Sequence, residues 1–182
     1  MNENDFSSWG SNSMKEEFLN AMSKAANSVT VVTTDGDAGR VGVTVSAMCS
    51  VSADGPAPSL LVCVHEQSPA CAAISRNRVF CANLLGAEQS YISDSFAGRS
   101  GLKGEDKFDC AVWLTQATGA PVLQASLASF DCHLQQEFQI GTHKVFIGKL
   151  AHVTCDEVRK PLVYHDRSYG MPQSLSSVSI SA

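Results

Sequence analysis

Residues 41–52, VGVTVSAMCSVS, are apolar enough for a buried strand, yet Thr44, Ser46, Ser50 and Ser52 place hydroxyls along them. Two chemistries fit. Hydroxyls on a strand can face water or satisfy a nearby backbone group. Alternatively, the small residues Gly42, Ser46, Ala47 and Ser50 leave room beside the backbone. A flat heteroaromatic ring can lie there and take hydrogen bonds from hydroxyls and main-chain N–H groups. The pattern leaves both open.

A second candidate is HEQSPACAAIS, residues 65–75. Ser68 is a good N-cap and Pro69 suits the first helical position. A helix start carries unpaired N–H groups and the positive end of the dipole, so Ser68 either caps the helix or helps to receive an anion such as phosphate. In YHDRSYG, residues 164–170, Arg167 and Tyr169 offer a cation for phosphate and a ring for stacking; they are equally an exposed charge beside a rim aromatic.

Other chemistry is poorly supported. The histidines (His65, His133, His143, His152, His165) have no metal-ligand spacing, so no metal site is expected. The seven cysteines contain no CxxC and read as buried, reduced thiols. No GxGxxG follows a strand; the glycines of DGDAGRVG, residues 35–42, suit a hairpin turn, with Asp35 and Asp37 as turn residues. No GxSxG or local Cys–His signature points to a hydrolase.

The elements that must carry these residues can be outlined. Ser13 and Glu16 form a capping-box pattern, and Phe18, Leu19, Met22, Ala25 and Ala26 share a helical face, predicting a helix over 14–27. The β-branched run 29–34 and residues 40–53 predict a hairpin about the turn 35–39. Strands are expected at 59–64, 79–85, 110–115 and 161–166, with a long hairpin from 126–140 and 142–155. Helices are expected from Pro69 and over 88–98, the second ending at Gly98, followed by a polar loop over 99–108. Antiparallel hairpins with a few short helices predict a mainly β, closed or nearly closed barrel rather than a doubly wound sheet.

The 182 residues, 44% apolar and 17% charged, suit one globular domain over 14–170, with an N-terminal arm (1–13) and a polar tail (171–182). The net charge of −5 and scattered basic residues argue against nucleic acid and anionic membrane as partners. No apolar run has membrane-spanning length, and the first residues lack a signal-peptide pattern, so a cytoplasmic location is expected.

The wider stretch ANSVTVVTTDGDAGRVGVTVSAMCSVSADGPAPSLLVCV, followed by VFCANLL, FAG, SLASFDC, GTHKVFIG and PLVYHDRSYG, closely resembles the short-chain flavin reductases over about residues 18–170. Within them it resembles the reductase components of two-component aromatic monooxygenases of the 4-hydroxyphenylacetate 3-monooxygenase type. The resemblance implies an FMN-binding split β-barrel, Greek-key-like, working as a homodimer. It implies reduction of free flavin by NADH, or in some members NADPH, and hand-off of reduced flavin to a separate phenol-type monooxygenase. FAD is the expected flavin, with FMN as the alternative.

Carried over residue by residue, the resemblance assigns flavin contacts to Thr44, Val45, Ser46, Ala47, Met48, Ser50, Val51 and Ser52. Glu66, Gln67 and Ser68 match the phosphate loop, and Phe96 in FAG is placed near the flavin. For NADH it assigns Arg40, His143, Arg167, Tyr169 and Gly170, with His143 as a hydrogen-bonding, positioning residue rather than a base. Arg99, Lys103 and Lys107 in the following loop either cover the adenine half of FAD or are merely solvated. Two other readings remain: an electron carrier with permanently bound FMN, and a non-enzymatic binding module on the same barrel.

Overall fold

The computed structural model describes residues 12–175. In chain order the elements are α1 (Asn12–Ser23), β1 (Asn27–Ser28), β2 (Thr30–Thr34), β3 (Val41–Val45), β4 (Met48–Ser52), β5 (Ser59–His65), α2 (Pro69–Asn77) and β6 (Val79–Leu84). A 3₁₀ turn (Ala87–Gln89), α3 (Ser90–Phe96) and a second 3₁₀ segment (Gly104–Cys110) follow. Then come β7 (Trp113–Thr115), β8 (Pro121–Leu123), β9 (Ala128–Ile140), β10 (His143–Cys155), β11 (Val163–His165) and β12 (Ser168–Gly170).

Seven strands form one antiparallel sheet in the order β3-β2-β6-β9-β10-β5-β4. β3 and β4 are its opposite edges, yet only Ser46 and Ala47 separate them in sequence. Two residues span a few ångströms, far less than the width of seven strands. The sheet must therefore curl until its edges approach, and the Ala47 carbonyl accepts a hydrogen bond from Cys63 N at 3.1 Å, tying the link to β5. The expected second strand, 40–53, is thus two strands belonging to opposite edges.

Side-chain alternation divides the core in two. Val32, Val62, Val64, Phe80, Cys132, Leu134 and Phe146 fill the inside of the curl, with Ala70, Cys71 and Ile74 of α2 packed against them. Gly148 of β10 is required there, because a Cβ would lie 2.5 Å from Phe80 Cζ. Val29, Val31, Leu85, Ile92, Phe96, Phe108, Leu123 and Leu162 form the second cluster, which joins α3 and the second 3₁₀ segment to the sheet. Asn83, fully buried, holds β8 to this frame. Its Nδ2 donates to Val31 O (3.1 Å) and Thr33 Oγ1 (3.1 Å), and its Oδ1 accepts from Leu123 N (2.8 Å) and Ser129 Oγ (2.9 Å).

Several expectations need adjustment. α1 begins at Asn12 and ends at Ser23. Ser13 lies inside it and donates to Glu17 Oε1 at 2.8 Å, so the Ser13–Glu16 capping box does not form. Its apolar residues Met14, Phe18, Leu19 and Met22 are exposed rather than packed on the chain. The second half of the expected polar loop over 99–108 is the start of the second 3₁₀ segment, which runs on to Cys110 and buries Phe108, so the strand expected from 110 begins only at Trp113. β1, β8 and β12 are too short to leave a periodic signal. The segment 1–11 of the expected arm and 176–182 of the tail lie outside the described residues.

Candidate functional site

As an edge strand, β3 pairs with β2 on one side and presents the unpaired groups of its other side to its surroundings. Two clefts lie along it. One, of about 180 Å³, is lined by Val29, Thr44, Val45, Ser46, Ser93, Ala97, Arg99, Tyr164 and Tyr169. The other, of about 240 Å³, is lined by Val41–Val43, Ser68, Pro69, Phe96, Ala97, Gly98, Gly104 and Lys107. They follow consecutive stretches of β3 and share Ala97 as a wall residue, and the pair is termed the trough.

The trough wall is built by α3 and the turn after it. Positions 42 and 44 lie on one side of β3, and Arg40 just precedes the strand. The Arg40 guanidinium stacks 4.1 Å from the Phe108 ring centroid. Gly42 lets Phe96 approach, since a Cβ would meet Phe96 Cε1 at 2.6 Å. Thr44 Oγ1 donates to Ser93 O at 2.7 Å. Gly98, with φ +77°, turns the chain out of α3, and Arg99 N returns to Asp94 O at 2.9 Å.

At the Thr44–Ser46 end a polar cluster lines the cleft. Arg99 Nη1 donates to Asp94 Oδ1 (3.1 Å) and to the Tyr169 hydroxyl (3.3 Å). That hydroxyl also lies 2.8 Å from Asp94 Oδ1 and 2.9 Å from Ser93 Oγ. The Tyr169 ring meets Tyr164 edge-on at 5.5 Å. Hydrogen bonding by Tyr164 and then Asp94 holds the Arg99 guanidinium above its ordinary pKa, and burial foremost raises that of the Tyr169 phenol, so both stay protonated in any physiological range. At the other end Ser68 precedes α2 with φ −70° and ψ 130°, but its side chain makes no capping hydrogen bond. Ser68 and Lys107 both line this cleft.

The assigned residues divide accordingly. Thr44, Val45, Ser46, Ser68, Phe96 and Tyr169 line the trough. Thr44 spends its hydroxyl proton on α3, and Phe96 is a buried wall residue. Ala47 lies in the link, and Met48, Ser50, Val51 and Ser52 continue onto β4, the opposite edge; they line neither cleft. Ser52 Oγ accepts from Asp54 N at 3.1 Å. Glu66 is held by Gln139 Nε2 at 3.1 Å, and Gln67 N donates to His65 Nδ1 at 3.1 Å. His143 pairs with His65 across β10 and β5, rings 4.9 Å apart, at the Ser68 end and outside both clefts. Arg167 sits at the β11–β12 turn with φ +61° and donates to Asn20 Oδ1 at 3.0 Å, directed at α1. Gly170 lies beyond Tyr169 in β12.

Sequence reasoning missed Ser93, Ala97, Gly98 and Tyr164 and left the role of Arg99 open. The available signal was FAGR: a glycine ending a helix directs the next residues, and here it aims Arg99 along the trough. Among the described residues no three His, Cys, Asp or Glu side chains gather as metal ligands, and no helix is long and apolar enough to cross a membrane.

A protein-family model described as the flavin reductase like domain matches residues 22–172. The chain is 40% identical over 155 residues, 85% of its length and 83% of the relative's, to FMN reductase (NADH) RutF of Yersinia enterocolitica. Two solved structures share its fold. BorF, the flavin reductase component of a bacterial two-component tryptophan halogenase, matches with TM-score 0.79 and 30% identity over 88% of this chain and 99% of that one. The flavin reductase PheA2 matches with TM-score 0.77 and 28% identity over 87% and 98%.

Proposed function

Because the chain belongs to the flavin reductase like family, we propose that it passes a hydride from NADH to a dissociable flavin held in the trough along β3. The observation that carries this is the pair of clefts on the free edge of β3, joined at Ala97. Their chemistry suits a ring joined to a phosphate. Ser46, the edge backbone and Tyr169 offer hydrogen bonds and a stacking face at one end. The uncapped Ser68, the start of α2 and Lys107 offer anion contacts at the other. Hydride moves from nicotinamide C4 to flavin N5 without a protein nucleophile. The chain's contribution is orientation, exclusion of water and fixed dipoles.

FMN is the leading flavin because the Yersinia relative is named for it; FAD, favoured by the motif resemblance, is the alternative. Reduced flavin then passes to a separate flavin-dependent monooxygenase acting on an aromatic compound. The motif resemblance supports this, as does BorF, itself one component of a two-component system with an aromatic substrate. A homodimer is supported by the apolar residues that α1 leaves exposed, Phe18 at 61% among them. The test is titration of the purified protein with FMN, FAD and riboflavin, followed by dilution. Saturable binding released on dilution supports a reductase of free flavin. Flavin retained through dilution points to the electron carrier, and no binding excludes both.

A further inference from the structure

We propose that Arg99 clamps the pyrophosphate of the nicotinamide dinucleotide, with Asp94 and Tyr169 as positioning residues that hold its guanidinium on the cleft wall. The inference rests on the flavin reductase reading and adds to it the residue that recognises the second substrate.

Arg99 is the arginine lining the Thr44–Ser46 cleft. The two arginines that the resemblance assigns to NADH are engaged elsewhere: Arg167 on Asn20, and Arg40 against the Phe108 ring. A guanidinium has five N–H donors in a rigid fork. Nη1 meets Asp94 and Tyr169, which fixes its direction, and Tyr164 also bonds the guanidinium; of the five N–H groups, two remain for the oxygens of a diphosphate. The ion pair is no fold device: its side chains are 53% and 39% exposed, where such pairs contribute little. α3 is already fastened to β3 by Thr44.

The geometry also separates the two phosphate-bearing substrates. The flavin phosphate has donors at the Ser68–Lys107 end of the trough. The ring then occupies the Thr44–Ser46 end, and the phosphate reaching Arg99 is that of the molecule stacked on the ring.

The test is steady-state turnover of the wild type, R99Q, R99K and Y169F, varying NADH with either FMN or phosphate-free riboflavin as acceptor, together with calorimetric titration of ADP-ribose. The expected result is a roughly tenfold rise in KM for NADH in R99Q, the same with FMN and riboflavin, with kcat little changed. R99K recovers part of the loss, and Y169F gives a smaller rise. The salt dependence of KM for NADH flattens in R99Q, as loss of a phosphate contact requires. An unchanged KM for NADH in R99Q overturns the proposal. So does a penalty seen with FMN and absent with riboflavin, which would give Arg99 to the flavin phosphate. So does a rise in KM for NADH in H143A but not R99Q, which would place the dinucleotide at the opposite end. A wild type that oxidises no NADH refutes the reductase reading; ADP-ribose binding that R99Q abolishes would still support the clamp.

Discussion

The Thr44 hydroxyl donates to the main-chain oxygen of Ser93 across 2.7 Å, fastening α3 to the free edge strand it walls. This bond makes a trough out of a sheet edge. Removing the hydroxyl with Thr44→Val should cost about 1 kcal/mol of stability, the usual net worth of a hydrogen bond. The Ser93 oxygen still accepts from Ala97 N at 2.8 Å, so no carbonyl is orphaned. KM for flavin should rise several-fold as the wall loosens. Thr44→Ser keeps the donor and should stay near wild type in urea midpoint and KM; a loss in Thr44→Ser with Thr44→Val unaffected would show that the methyl group, not the bond, matters.

At Gly42 the wall lies directly against β3. Gly42→Ala puts a Cβ 2.6 Å from Phe96 Cε1, and Phe96 is itself locked edge-on against Phe108 (5.0 Å) and Trp113 (5.4 Å). Overpacking of this kind costs about 1–3 kcal/mol. Thermal or urea unfolding should show it. An unaffected midpoint would mean that the wall yields freely.

Ser68 separates stability from binding. An N-cap serine whose side chain caps loses about 1 kcal/mol on change to alanine. Here the hydroxyl makes no capping bond, so Ser68→Ala should leave the unfolding midpoint nearly unchanged. It should raise KM for FMN and not for riboflavin, which lacks the phosphate. A destabilised variant with intact FMN kinetics would return Ser68 to an ordinary cap.

The thiols predict an alkaline limit. Burial, with Asp131 adding to it, pushes the Cys132 thiol up to about 12 from an ordinary 9.0, and burial also drives Cys81 well up. The folded state therefore keeps protons that the unfolded chain releases. The stabilising difference is fully present below about pH 9 and is lost progressively as pH rises towards the folded values. The urea midpoint should fall between pH 8.5 and 10 on this account. With a thiol reagent, the exposed Cys49 and Cys155 should react at once, and the buried Cys81 and Cys132 only on unfolding. A midpoint that rises with pH in that window would contradict the assignment.

Much of the frame was legible because it rests on local signals. The β-branched run of β2, the Ser68–Pro69 start of α2 and the alternation of β9 and β10 each predict their element. The curl was not, because nothing local in VGVTVSAMCSVS says that the strand breaks at Ser46–Ala47 and resumes on the far edge of the sheet. That break also separates the residues assigned to flavin in space: Thr44, Val45 and Ser46 line the cleft beside β3, while Met48, Ser50, Val51 and Ser52 lie on the opposite edge strand. Arg167 and Arg99 teach the same lesson. Both are cations near a turn, and only the path of the chain shows that one meets Asn20 and the other the cleft. The apolar face of α1 predicts a helix, yet its exposed Met14, Phe18, Leu19 and Met22 show that periodicity reports an apolar stripe and not what covers it.

The most direct test of the central claim is NADH consumption by the purified protein, measured alone and with added FMN, FAD or riboflavin. Turnover that appears only when a flavin is supplied, with FMN the best acceptor, is the predicted result. Folded protein that consumes no NADH with any flavin would contradict it.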